Sequence, residues 1–155
     1  MNIHFIPHTN KEGEACFVME DLLYWKNTEV TIKDLQAANV FSVHHYFIND
    51  KYVKPSAPCY AYLFPSGRVK LYQPYNKDGF KWQGNQSKND ISVIGNSDKL
   101  IITKSLKDAL VISKQLPDWE IWAFASEAVI ANVSISDKTV VKYLMDNDKA
   151  GLEAS

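Results

Sequence analysis

The chain has 155 residues, 46% of them hydrophobic and 23% charged, with a formal net charge of −1. That length and apolar content suffice for a packed core and exclude a disordered chain. No apolar run approaches the roughly 18–20 residues needed to cross a bilayer, so no membrane partner is expected.

The N-terminal Met1-Asn2-Ile3-His4-Phe5 lacks the basic and apolar regions of a secretory leader. Cys16 and Cys59 stand far apart and read as two free thiols of a cytoplasmic protein. Neither has a Cys or His at zinc-finger spacing, so no zinc is expected in this chain. The near-neutral total hides an uneven distribution. Residues 66–107 hold eight Lys/Arg against three acids, whereas residues 108–155 hold four against eight. A basic middle suits a polyanion and an acidic end suits a metal ion. Ordinary solvated faces give the same counts.

Ile3, Phe5, Phe17, Val18 and Met19 suggest short strands around a turn at Asn10-Lys11-Glu12-Gly13, and residues 21–25 suggest one helical turn. His4 and His8 have the i, i+4 spacing of metal ligands on a helix, but Pro7 between them argues against a helix there. Thr31 has the character of an N-cap for a short helix carrying Ile32 and Leu35 and ending near Asn39. Residues 40–47 read as extended. The doublet His44-His45 within them would face opposite sides of a strand, and so is not expected to share one ligand.

Cys59-Tyr60-Ala61-Tyr62-Leu63-Phe64, Pro65-Ser66-Gly67 and Arg68-Val69-Lys70-Leu71-Tyr72 form the pattern of a β-hairpin. Alternation places Arg68, Lys70 and Tyr72 on one face, two cations and an aromatic ring suited to a nucleic-acid backbone and a stacked base. An ordinary exposed sheet face has the same make-up. Residues 74–90 interleave Lys77, Lys81 and Lys88 with Tyr75, Phe80 and Trp82 and read as a functional loop with one short strand near Trp82.

Beyond it, Leu100-Ile101-Ile102-Thr103 reads as a strand, and Ser105 as the cap of a helix closing near Pro117. Residues 120–125 and 140–145 read as two more strands, the last followed by Asp146-Asn147-Asp148-Lys149-Ala150-Gly151. The alternation predicts a right-handed parallel β-α repeat. Asp146 and Asp148, spaced i, i+2, would point to one side at a strand end and suit a hard divalent cation. A helix-capping role would use the same residues. A helix starting at Lys149 has too few residues before Ser155 to be stable, so C-terminal truncation is expected.

The pairing of strand-Thr103-Lys104-Ser105-Leu106-Lys107-Asp108 with strand-Asp146-Asn147-Asp148-Lys149-Ala150-Gly151 resembles the TOPRIM domain, shared by primases, topoisomerases and some nucleases. Together with residues 60–85 it is most similar to the primase-like replication proteins of bacteriophages and prophages. The resemblance implies an α/β fold, α+β overall: a β-rich, nucleic-acid-binding subdomain over residues 1–95, then a TOPRIM-like parallel β-α core over residues 96–155. It also implies a DNA primase-type nucleotidyltransferase that makes RNA primers on single-stranded DNA in a bacterial or phage-infected cell. Asp146 and Asp148 would hold Mg2+ or Mn2+. Nucleoside triphosphates, the template and a replicative helicase would be the partners, with Arg68, Lys70, Tyr72, Lys77, Lys81, Trp82, Lys88 and Lys107 contacting nucleic acid.

The chain departs from the family at one place. Lys104 stands where the TOPRIM pattern has a Glu, and an ammonium group is no ligand for magnesium. Three alternatives follow. Glu127 supplies the third carboxylate. Lys104 and Lys107 contact template or triphosphate, with one metal held by the aspartates. Or the module binds nucleic acid without catalysis. A TOPRIM nuclease is the remaining alternative.

Overall fold

The computed structural model describes residues 1–87, 89–124 and 138–144. They fall into two compact units, Met1–Gln86 and Ser87–Ser155. The division lies ahead of the expected boundary after residue 95 because residues 91–94 pair with a strand of the second unit.

The first unit is an antiparallel sheet built on the long strand β2 (Val40–Ile48). On it pair β1 (Ile3–Pro7) and the short β3 (Lys51–Val53), and the sheet continues through β4 (Tyr60–Leu63), β5 (Val69–Tyr72) and β6 (Trp82–Gly84). β2 and β3 are joined by Asn49-Asp50, both at positive φ (48° and 66°), the backbone of a tight hairpin turn and a conformation Asn and Asp tolerate. The expected β4–β5 hairpin is present. Gly67 at φ 88° closes it, with its N–H donating to Phe64 O at 2.9 Å.

One face of the sheet is aliphatic: Val43, Cys59, Ala61, Val69 and Leu71 pack with Ile3. The other is aromatic and packs against α1 (Met19–Trp25), where Trp25 and Tyr24 meet Tyr60. Asp21 Oδ2 caps that helix by accepting from Val18 N at 2.8 Å. α2 (Ile32–Ala37) is held by the expected Thr31 cap, reciprocated by Asp34 Oδ2 accepting from Thr31 N at 2.8 Å. Leu35 is its buried residue, and Asn39 beyond it takes φ 57°.

The second unit carries a four-stranded sheet in the order β10-β8-β9-β7. β8 (Lys99–Thr103), β9 (Glu120–Phe124) and β10 (Val140–Leu144) are parallel. β7 (Ile91–Ile94) is an antiparallel edge that the expectation of a purely parallel repeat did not include. α3 (Leu106–Gln115) links β8 to β9. Leu100, Ile101, Ile102 and Thr103 are all buried, so β8 is covered on both faces, as the central strand of a parallel sheet should be. The chain is thus mixed α+β, with one antiparallel and one mixed sheet.

The amino-terminal edge of the parallel strands is tied by one buried ion pair. Lys138 Nζ lies 2.8 Å from Glu120 Oε2 and donates to Ser97 O at 2.7 Å. The Trp122 indole N–H donates to the same carboxylate oxygen at 2.7 Å. Burial pushes the Glu120 carboxyl up, but the bonds from Lys138, Trp122 and Ser97 outweigh it and hold the group below its ordinary 4.5. A carboxyl lowered by folding contributes stability that is present above its unfolded value and lost as pH falls through the folded one. Urea unfolding followed by Trp fluorescence should therefore show stability falling as pH drops below about 4.5. At neutral pH, Lys138→Ala should cost about 1–3 kcal/mol, because the Glu120 carboxylate loses its cation and keeps only the Trp122 and Ser97 N–H groups.

Candidate functional site

In the second unit, β8 is flanked by β9 on one side and β10 on the other. The chain passes from β8 to β9 and then returns to the far side of β8. That reversal is a topological switch point, where open α/β sheets bind ligands beyond the carboxyl ends of their strands. Register places Leu144 beside Thr103, so the carboxyl ends of β8 and β10 lie level at one edge. Lys104, half-buried, follows directly. Ser105 then caps α3, its Oγ accepting from Asp108 N at 3.1 Å. Lys107 sits half-buried in the first turn of that helix. The edge therefore combines two lysines with a helix N-terminus, a setting that favours anions.

Asp146, Asp148 and Glu127 themselves lie outside the described residues, as does Lys88. Among the described residues, no group of three His, Cys, Asp or Glu side chains is arranged to hold a metal ion.

In the first unit, the sheet register aligns Tyr60, Tyr72 and Trp82 across β4, β5 and β6. Tyr72 and Trp82 stack with centroids 3.9 Å apart and planes 16° from parallel. Lys70 Nζ lies 4.4 Å from the centre of the Trp82 ring, a cation–π contact that leaves a charge beside an aromatic surface. Gly84 makes this possible. A Cβ there would stand 2.7 Å from Val69 O and 2.9 Å from Lys70 Cα, so only glycine lets β6 approach β5.

The expected role of Tyr72 as an open base-stacking ring is corrected. Its side chain is only 3% exposed, covered by Trp82 and bonded through its hydroxyl to Tyr24 OH at 2.9 Å. Alternation put Tyr72 on the face opposite Leu71 correctly, but that face is covered by α1 at this position. Trp82 is half-buried, Lys70 half-buried, and Arg68 exposed at the hairpin. Lys77 and Lys81 are exposed on the loop from 73 to 81. That loop is closed by Gln73 N donating to Lys81 O at 2.8 Å and by the Asn76 side-chain amide donating to Phe80 O at 3.0 Å. It displays Phe80 at 70% and Tyr75 at 61% exposure. These two rings, beside Lys77 and Lys81, are the open aromatic groups that the choice of Tyr72 overlooked. Their place in a glycine-bearing polar loop was the available signal.

Cys59 is chemically quiet, since burial and then the neighbouring Asp21 push its thiol up to about 12. No helix among the described residues is long and apolar enough to cross a membrane. No protein-family model matches the chain, and no curated protein matches it.

Two substitutions separate the structural from the displayed residues. Tyr72→Phe removes one half-buried hydrogen bond and should cost about 1 kcal/mol in urea unfolding. Gly84→Ala forces β6 away from β5 and should cost about 1–3 kcal/mol. Phe80→Ala, by contrast, should leave the unfolding midpoint unchanged.

Proposed function

We propose that this chain belongs to a primase-like replication protein of TOPRIM type, from a phage or prophage. Its second unit would bind a divalent cation, Mg2+ or Mn2+, and nucleoside triphosphate. Its first unit would hold single-stranded DNA. The observation that carries this reading is the parallel, in-register pairing of β8 with β10. A site shared by the Lys104 turn and the Asp146-Asn147-Asp148 segment requires those two strands to be neighbours with their carboxyl ends level. A pairing through β9 or β7 would have separated them.

Each group then has a chemical task. The two aspartates would hold the cation, which screens triphosphate oxygens and stabilises the charge that develops during phosphoryl transfer. Lys104 and Lys107 would supply positive charge to a triphosphate or template phosphate at the α3 N-terminus. Lys104 takes the place of a carboxylate, so the aspartates define a single hard-cation site in this reading. Glu127 is the remaining carboxylate for proton transfer or for organising the metal.

For the first unit, exposed Phe80 and Tyr75 offer stacking surfaces, and Arg68, Lys77, Lys81 and the Lys70–Trp82 pair offer phosphate contacts and a further ring edge. Binding of this kind tolerates any base and is strongly salt-dependent.

Calorimetry with MnCl2 should give one site that Asp146→Asn abolishes, and an unchanged isotherm would remove the metal assignment. The full protein should make oligoribonucleotides on a single-stranded template only when nucleoside triphosphates and metal are present. Cutting of DNA without triphosphates would favour a nuclease instead. Oligonucleotide affinity should fall about 5- to 100-fold with Phe80→Ala, the range for loss of one stacked ring, and should not change with Tyr72→Phe. Salt-sensitive DNA binding that survives loss of both aspartates, without primer synthesis, would identify a non-catalytic binding module.

A further inference from the structure

The histidines that sequence spacing set aside come together in the first unit. β1 and β2 pair with Ile6 opposite His45 and Pro7 opposite Val43, so the register slips between them. His44 is the extra residue of a β-bulge. A bulge breaks the strict alternation of side chains and re-aims them, and here it defeats the expectation that His44 and His45 face apart. Their Nδ1 atoms stand 2.7 Å from each other. The His8 ring meets the His44 ring edge-on with centroids 5.2 Å apart. His4 lies close enough to His45 to influence its charge.

We propose that His44 and His45 form a two-nitrogen chelating site for a borderline divalent transition-metal ion of the Zn2+, Ni2+ and Cu2+ class. Imidazole nitrogens bound at about 2.0–2.1 Å to one such ion stand about 2.9 Å apart at a right angle and about 3.3 Å apart at the tetrahedral angle, so the pair has to open by about 0.2–0.6 Å and the rings have to turn until both lone pairs converge on the ion. Without metal, one Nδ1–H donates to the other Nδ1. Metal binding moves that proton to Nε2 of the same ring and releases no proton. His44 is exposed and His45 half-buried, which leaves the other coordination positions to water.

Both imidazoles resist protonation, His44 chiefly through the nearby Lys54 charge and His45 chiefly through burial. Lys54 Nζ donates to His44 O at 3.2 Å, and its charge works against the bound cation. The site is chemically distinct from the aspartates: nitrogen donors select transition metals, whereas a carboxylate pair selects Mg2+ or Mn2+.

The test is titration of the full chain with ZnCl2, NiCl2, CuCl2 and MgCl2, followed by calorimetry and by the histidine ring resonances in NMR. One ion should bind at the histidine pair, Cu2+ most tightly, with the His44 and His45 rings shifting together, and Mg2+ should leave both rings unshifted. His44→Gln and His45→Gln should each weaken binding at least about tenfold, with circular dichroism unchanged. Lys54→Gln should tighten it about threefold, the size of a screened surface charge effect. Cys16→Ser and Asp146→Asn should leave it unaltered. The proposal is overturned if affinity is weaker than about 1 mM, if both Gln variants bind like the parent, or if Cys16→Ser abolishes binding.

Discussion

The pairing of β10 with β8 is the contact on which the functional account rests. Two strands far apart in sequence become neighbours, level at their carboxyl ends. The sheet is closed at its other edge by a buried ion pair between Glu120 and Lys138, one partner opening β9 and the other standing just ahead of β10. The buried ion pair and the proposed site thus lie at opposite ends of the same strands. The amino end spends its charged groups on one another. The carboxyl end groups Lys104 and Lys107 with the α3 N-terminus where the chain reverses direction.

The first unit divides its work between faces instead. Its aliphatic face is core. Its aromatic face is covered by α1 over Tyr60 and Tyr72 and becomes accessible towards β6, at Trp82. The stack of Tyr72 on Trp82, with Lys70 above the indole, is a rigid base from which the exposed loop with Tyr75 and Phe80 is displayed.

Local signals in the sequence located most elements. Thr31 and Ser105 mark helix starts through short-range hydrogen bonds that need no tertiary context. Gly67 marks a turn through its own backbone freedom. What was not legible depends on partners distant in the chain. The antiparallel pairing of β7 with β9 moves the unit boundary ahead of residue 91, and no local pattern announces it. Burial of Tyr72 comes from Tyr24, which is 48 residues away. The meeting of His44 with His45 comes from a register slip against β1, which period-two reasoning cannot foresee. The Asp146-Asn147-Asp148 motif was readable in the sequence but lies outside the described residues, and the structure adds only that β10, which precedes it, pairs with β8. Lys104 after β8 was equally readable, and it is half-buried beside the Ser105 cap of α3.

The central claim is that the cation sits at the level carboxyl ends of β8 and β10. Paramagnetic broadening by Mn2+ in amide NMR spectra tests it most directly, because the effect falls steeply with distance from the ion. The account predicts selective loss of the Thr103, Lys104, Ser105 and Leu144 amide signals, reversed by excess Mg2+ and absent in Asp146→Asn. Signals that persist at those four residues while Mn2+ is bound would contradict it.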